Sequence, residues 1–340
     1  MHSSVPGRAS AIPRRVVLLG AAGGLLAGAG CSSASTTAPG QTPASPSPAS
    51  PSPGSATPSA AATLPATTPW TPGPGEVQPD VKLRAVQLVE ALGAWPPGGQ
   101  GIAAARARVS ALGLDPALAD QAGPLLPAAD RAALQVVDAQ YGGILTDSAS
   151  VLVVCDQWTA SADGPVTPGG TTVDVRLDAA QPRWTVTALH PAEPGAPAAT
   201  LSDAARQVLA EPRIQLPPAS QADIRSGAVH DTVLRAMLTL SGTYRMYVSV
   251  VRSGHPLDVF GTNRPSDHPV GRAFDVWQID GHAVVDPQTP HDLVDGFMRA
   301  AAAAGSYNVG GPRQLSGGAT SQQFFTDDTH HDHVHVGFLT

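Results

Sequence analysis

The chain is short of the residues that staple a protein or fix it in a bilayer. It has two cysteines, Cys31 and Cys155, in 340 residues. With Cys31 committed elsewhere, Cys155 has no intramolecular partner. Disulfides then do not hold the fold, and the folded parts must be large enough to stand on their cores. Cys155 follows the apolar run Val151-Leu152-Val153-Val154 and reads as a small buried hydrophobe. Lysine is scarcer still: Lys82 is the only one among 20 basic residues. With the excess of Ala, Gly and Pro this points to a GC-rich coding sequence rather than to a function. The apolar run Val16 to Gly30 is 15 residues long, below the roughly 20 of a spanning helix. Positive charge is also lacking. The formal net charge is −7 and becomes more negative without the N-terminal arginines. That argues against nucleic acid as a partner.

What the N-terminus does have is an export pattern. Arg8, Arg14 and Arg15 form a basic region ahead of the apolar run, so residues 1–30 are predicted to be a signal peptide. Arg14-Arg15 before Val-Val-Leu-Leu resembles a twin-arginine signal. Leu26-Ala27-Gly28-Ala29-Gly30 before Cys31 resembles a bacterial lipobox, which implies lipidation at Cys31 and a membrane-anchored product. Cleavage at an Ala-Gly-Ala-like site and free secretion is the alternative. Residues 31–77 are rich in Pro, Ser, Thr and Ala and offer almost nothing to bury, so they are expected to form a disordered tether.

From Gln78 the pattern becomes globular. Val81, Ala85, Leu88, Val89 and Leu92 have helical spacing, as do Ile102, Ala105, Val109 and Leu112. Short helices are expected at 116–122 and 127–139, each opened by a proline. Period-two strands follow at 150–159, 172–177 and 184–188. Residues 78–195 therefore read as a small α+β domain of unassigned role, similar in element order to nuclear-transport-factor-like domains. After an Ala/Pro/Gly-rich boundary, a second α+β domain spans 200–340. It has helices at 202–211 and 229–241, strands at 247–251 and 273–279, and a helix from Pro290 that Gly305 stops.

Eight of the 11 histidines fall from His255 onward, and two motifs gather them. The first is Ser266-Asp267-His268-Pro269-Val270-Gly271-Arg272-Ala273-Phe274-Asp275, the second His331-Asp332-His333-Val334-His335. Gly271 allows the turn that brings His268 back toward Asp275. Period two on a strand puts Ala273 beside Asp275, and His333 beside His335. Two histidines and a carboxylate with an open fourth position are the ligand set of a catalytic zinc ion.

The pattern Ser-x-His-x-x-Gly-x-Ala-x-Asp followed by His-x-His resembles the LAS metallopeptidases. These include zinc D-alanyl-D-alanine carboxypeptidases, murein endopeptidases and the hedgehog signalling domain. The resemblance covers residues 200–340 and implies a hedgehog/DD-peptidase-like fold with Zn2+ on His268, Asp275 and His335. It implies Asp332 as acid/base, His333 as a histidine contacting the site, and Arg252 as the group that polarises the carbonyl or holds a terminal carboxylate. The chain departs from the family where Asp-His-Val-His replaces Glu-x-Trp-His, and where Val-Val-Arg-Ser-Gly-His replaces Gly-Tyr-Arg-Ser. The expected activity is zinc-dependent hydrolysis of peptidoglycan stem-peptide amide bonds by a monomeric envelope lipoprotein. The alternative is a non-catalytic zinc-containing module that binds peptidoglycan or protein.

Overall fold

Leucine, valine and alanine at helical spacing bury one side of α1 (Pro79–Gly93). A shorter α2 (Ile102–Ala111) and two 3-10 turns follow it. These cover a four-stranded antiparallel meander: β1 (Arg131–Ile144), β2 (Ser148–Ala160), β3 (Thr167–Asp178) and β4 (Thr185–Pro191). Val81, Leu88, Leu92, Leu134, Val151, Val153 and Val175 meet in one apolar cluster between helices and sheet. Cys155 lies in it, free and fully buried. The structure, a computed structural model, describes residues 63–340. The signal peptide, Cys31 and the first part of the expected tether lie outside the described residues.

The remaining elements form the second half of the molecule. They are α3 (Asp203–Ala210), β5 (Ile214–Gln215), α4 (Pro218–Arg225), α5 (Asp231–Ser241), β6 (Met246–Val250), β7 (Ala273–Ile279), β8 (His282–Ala283), α6 (His291–Ala303), β9 (Asn308–Gly310), β10 (Gln323–Phe325) and β11 (Val334–Gly337). The sheet runs β10-β9-β11-β7-β6-β5, with β8 beside β7. Alternation decides its two faces. Phe274 and Val276 of β7, and Val334 and Val336 of β11, join Met237, Phe297 and Met298 in the core. Asp275 and His335 are therefore turned to the opposite face. Among the described residues no helix is long and apolar enough to cross a membrane.

The molecule is thus mixed α+β, and its two halves belong to one compact unit. Two local expectations are corrected. Residues 127–139 were expected to be helical, but 131–144 form β1. Ala132, Leu134 and Val136 are buried in alternation and pair with β2, and that pairing overrides the helical propensity of an Ala-rich stretch. Residues 63–77, expected within the tether, are held on the first half. Thr68 and Trp70 donate their amides to Gln135 and Glu90, and Trp70 and Val77 pack on the core. Those two apolar side chains give this stretch something to bury in a sequence otherwise rich in Pro, Ser, Thr and Ala.

Gly271 turns the chain into β7 with φ of +73°, and a β-carbon there would lie 2.0 Å from the Ala228 carbonyl oxygen. Gly271→Ala is expected to destabilise by more than the about 1–2 kcal/mol of a left-handed backbone alone, because backbone must also move. Denaturant unfolding of the variant checks this; an unchanged midpoint would show that the turn is not rigid.

Candidate metal centre

The site is built on one pair of facing strand residues. β7 and β11 are antiparallel, and His335 stands directly opposite Asp275 in the register. Facing residues of an antiparallel pair hold their β-carbons about 4.5–5.5 Å apart, so both side chains reach one point. The third residue, His268, comes from the loop between β6 and β7. Its ring Nδ1 lies 2.8 Å from the Val251 carbonyl oxygen. A carbonyl only accepts, so Nδ1 carries the proton and Nε2 presents a lone pair.

That lone pair faces the other two groups. His268 Nε2 is 3.1 Å from Asp275 Oδ1 and 3.1 Å from His335 Nδ1, and His335 Nδ1 is 3.0 Å from the same Oδ1. The three atoms make a nearly equilateral triangle. Nitrogen and oxygen ligands around a tetrahedral ion at 2.0–2.1 Å are separated by about 3.3 Å, so the triangle fits a small ion. Asp275 and His268 are fully buried and His335 nearly so. Ala273, also fully buried, takes little space beside them.

His255 belongs to the same cluster. Its ring stacks on that of His268 with centroids 4.1 Å apart. His255, His268 and Asp275 present ligand atoms within 4.8 Å of one another and could hold a metal ion. Two sets thus share His268 and Asp275. The set completed by His335 is the tighter, and a small ion must touch all its donors at once. His255 Nδ1 is engaged with the Pro256 carbonyl at 2.9 Å, which leaves Nε2 as its free nitrogen.

The other expected residues take different places. Asp332 turns away from the triangle and points Oδ2 at Lys82 Nζ, 2.6 Å away, and at the Tyr141 amide, 3.0 Å away. Its Oδ1 holds His333 Nδ1 at 2.6 Å. His333 Nε2 in turn lies 3.8 Å from Asp275 Oδ1. The carboxylate therefore holds the back of an imidazole whose front faces the triangle. Arg252 is drawn off elsewhere. Its guanidinium donates to the carbonyls of Pro194 at 2.6 Å and Glu193 at 3.4 Å, with Asp223 3.6 Å from Nε. It lines a separate cavity of about 840 Å³, with Asp174, Arg176 and His190. The cleft over the triangle is about 580 Å³, and the arginine that lines it is Arg264. Arg264 is exposed, and its guanidinium has no hydrogen bond or ion pair among the described residues.

Burial and charge set the protonation. Burial alone would raise the pKa of Asp275, but the imidazoles of His268 and His333 outweigh it and hold the group well below the usual range. Burial lowers His335 to about 4, which leaves it neutral and able to ligate. His333 would also fall on burial, but Asp275 and Asp332 outweigh that and raise it to about 9. Burial would raise Asp332 too, and Lys82 and His333 bring it down.

In chelator-treated protein His333 binds its proton more tightly folded than unfolded. Its contribution to stability is fully present below about pH 6.5 and is lost as pH rises through about 9. Unfolding midpoints across that window should fall for the parent chain and fall less for His333→Gln. Elemental analysis should find one ion per chain in the parent and in Arg252→Ala, and none in His335→Ala.

Comparison with protein-family models, curated proteins and solved structures found no match for the chain. What the described residues show is a buried cluster of histidines and one aspartate able to hold a metal ion.

Proposed function

We propose that this protein is a zinc peptidase of the cell envelope that hydrolyses amide bonds in peptidoglycan stem peptides. The observation that carries the reading is the triangle of His268, Asp275 and His335 with a carboxylate-held imidazole, His333, facing it. This accords with the LAS resemblance of the two motifs, which implies a hedgehog/DD-peptidase-like second half, and with its mixed α+β character. Zinc on those three residues would supply Lewis-acid polarisation of a substrate carbonyl and acidification of a water molecule.

The protein groups divide the remaining work. His333 is the proton carrier. Asp332 fixes its Nδ1, so Nε2 takes the proton of the attacking water and delivers it to the leaving amine nitrogen. Asp332 is then the residue that orients the acid/base rather than the acid/base itself. Arg264 lines the cleft with a free guanidinium and is placed to take a peptide carboxylate. Arg252, bound to two carbonyls, instead holds the 193–194 segment. The signal and lipobox patterns of the sequence put the enzyme outside the cell, anchored through Cys31 and facing the wall, with free secretion as the alternative.

His255 favours a second reading. If its free nitrogen joined the other three residues, the ion would have four protein ligands and no open position, as structural sites do. The protein would then be a binding module. Mass spectrometry of peptidoglycan incubated with the protein, with and without chelator, separates the two. The peptidase reading expects chelator-sensitive loss of a terminal D-alanine or of a cross-link. Unchanged peptidoglycan, from protein carrying one zinc per chain, would leave the closed site as the better account.

A further inference from the structure

All the ligand-set residues lie in the second half of the chain, yet the groups behind them come from the first. Gln140, near the end of β1, is fully buried. Its Nε2 donates to Asp275 Oδ2 at 2.7 Å, and its Oε1 accepts from the Ser249 hydroxyl. Asp275 thus has one oxygen tied to an amide of the first half and the other left for His268 and His335. Lys82, on α1, is fully buried too. It bridges Glu76 and Asp332, and the Tyr141 amide meets the same Asp332 oxygen. The Ile144 amide adds a contact to the Thr329 hydroxyl at 3.3 Å.

A buried ion pair is a poor source of stability, since desolvating two charges offsets much of their attraction. A chain that carries 19 arginines and one lysine has no need of its lysine for surface charge. The place where that lysine stands therefore points to positioning. A carboxylate free to rotate would not keep the His333 ring aimed at the triangle. One whose second oxygen is held by an ammonium and an amide will. Partners behind a ligand orient it, and their loss typically costs 10–100-fold in metal affinity.

We propose that the N-terminal α+β half is a working part of the metal centre, with Gln140 and Lys82 as positioning residues. Gln140 fixes the Asp275 carboxylate so that Oδ1 faces the two imidazoles. Lys82 fixes the Asp332 carboxylate so that it holds His333. The 200–340 segment alone would lack both. This rests on the metal reading of the site but not on the peptidase activity.

Two measurements on the complete chain test it. The first is zinc affinity by chelator competition, with the visible spectrum of the Co(II) form. Gln140→Leu should bind zinc 10–100-fold more weakly and show an altered Co(II) spectrum while its unfolding midpoint confirms a folded protein. A folded variant with parental affinity and spectrum would overturn the role of Gln140. The second needs no variant. Isotope-labelled lysine gives a single side-chain NMR signal in this chain, and Co(II) should shift or broaden it through its paramagnetism. A parent chain that binds one Co(II) with an undisturbed lysine signal would overturn the placement of Lys82. A parent chain that binds neither metal would remove the metal reading itself, which is a different failure. If the peptidase reading holds, Lys82→Met should lower kcat with little change in KM, and Lys82→Arg should recover part of the loss.

Discussion

The carboxylate of Asp275 is the point on which the molecule turns. One oxygen is shared by two imidazoles, and the other accepts from an amide 135 residues earlier in the chain. A buried carboxylate without such partners would be driven to take up a proton. Here one oxygen accepts from the Gln140 amide, and the imidazoles gathered around the other outweigh the cost of burial. The strand register brings His335 to it, the left-handed turn at Gly271 brings His268, and the end of β1 closes the remaining side.

A second layer of charge stands behind the first. Glu76, Lys82, Asp332 and His333 form an alternating row of acid and base. Lys82 is shared by two carboxylates, and they are not equal. Asp332 is drawn below its ordinary range, while burial keeps Glu76 above its own. Asp332 has the additional support of an amide and an imidazole, so it is the firmer anion and the one that can hold a ring in place. The row crosses the boundary between the two halves, so the α+β half reaches the cluster through Glu76 and Lys82.

The sequence makes the cluster of His268, Asp275 and His335 legible because its logic is local. His268 and Asp275 share one ten-residue motif, and His335 sits where alternation on a strand must turn it to the same face. Most elements are readable from their periodicity for the same reason. β1 is not, because Ala and Leu satisfy a helical and an alternating pattern at once, and only the facing residues of β2 decide. The direction of Asp332 is hidden as well. It lies just before β11, outside the strand whose period would have aimed it, and its partners Lys82 and Tyr141 are far away in sequence. Arg252 answers to the arginine the resemblance implies, but the carbonyls that bind it, of Glu193 and Pro194, belong to the segment between the halves. Lys82 stands out in the sequence only by its solitude, which by itself speaks of coding bias, and its pairing with Asp332 is visible only in the fold.

That solitude has a chemical consequence. With its single ε-amine fully buried, the folded chain offers no lysine side chain to acylating agents, aldehydes or amine-directed crosslinkers. An electrophile can reach that nitrogen only when its cover of Glu76, Tyr141 and Asp332 opens. The rate at which this one amine is modified is therefore a gauge, carried within the chain, of how often the structure around the junction of the two halves opens.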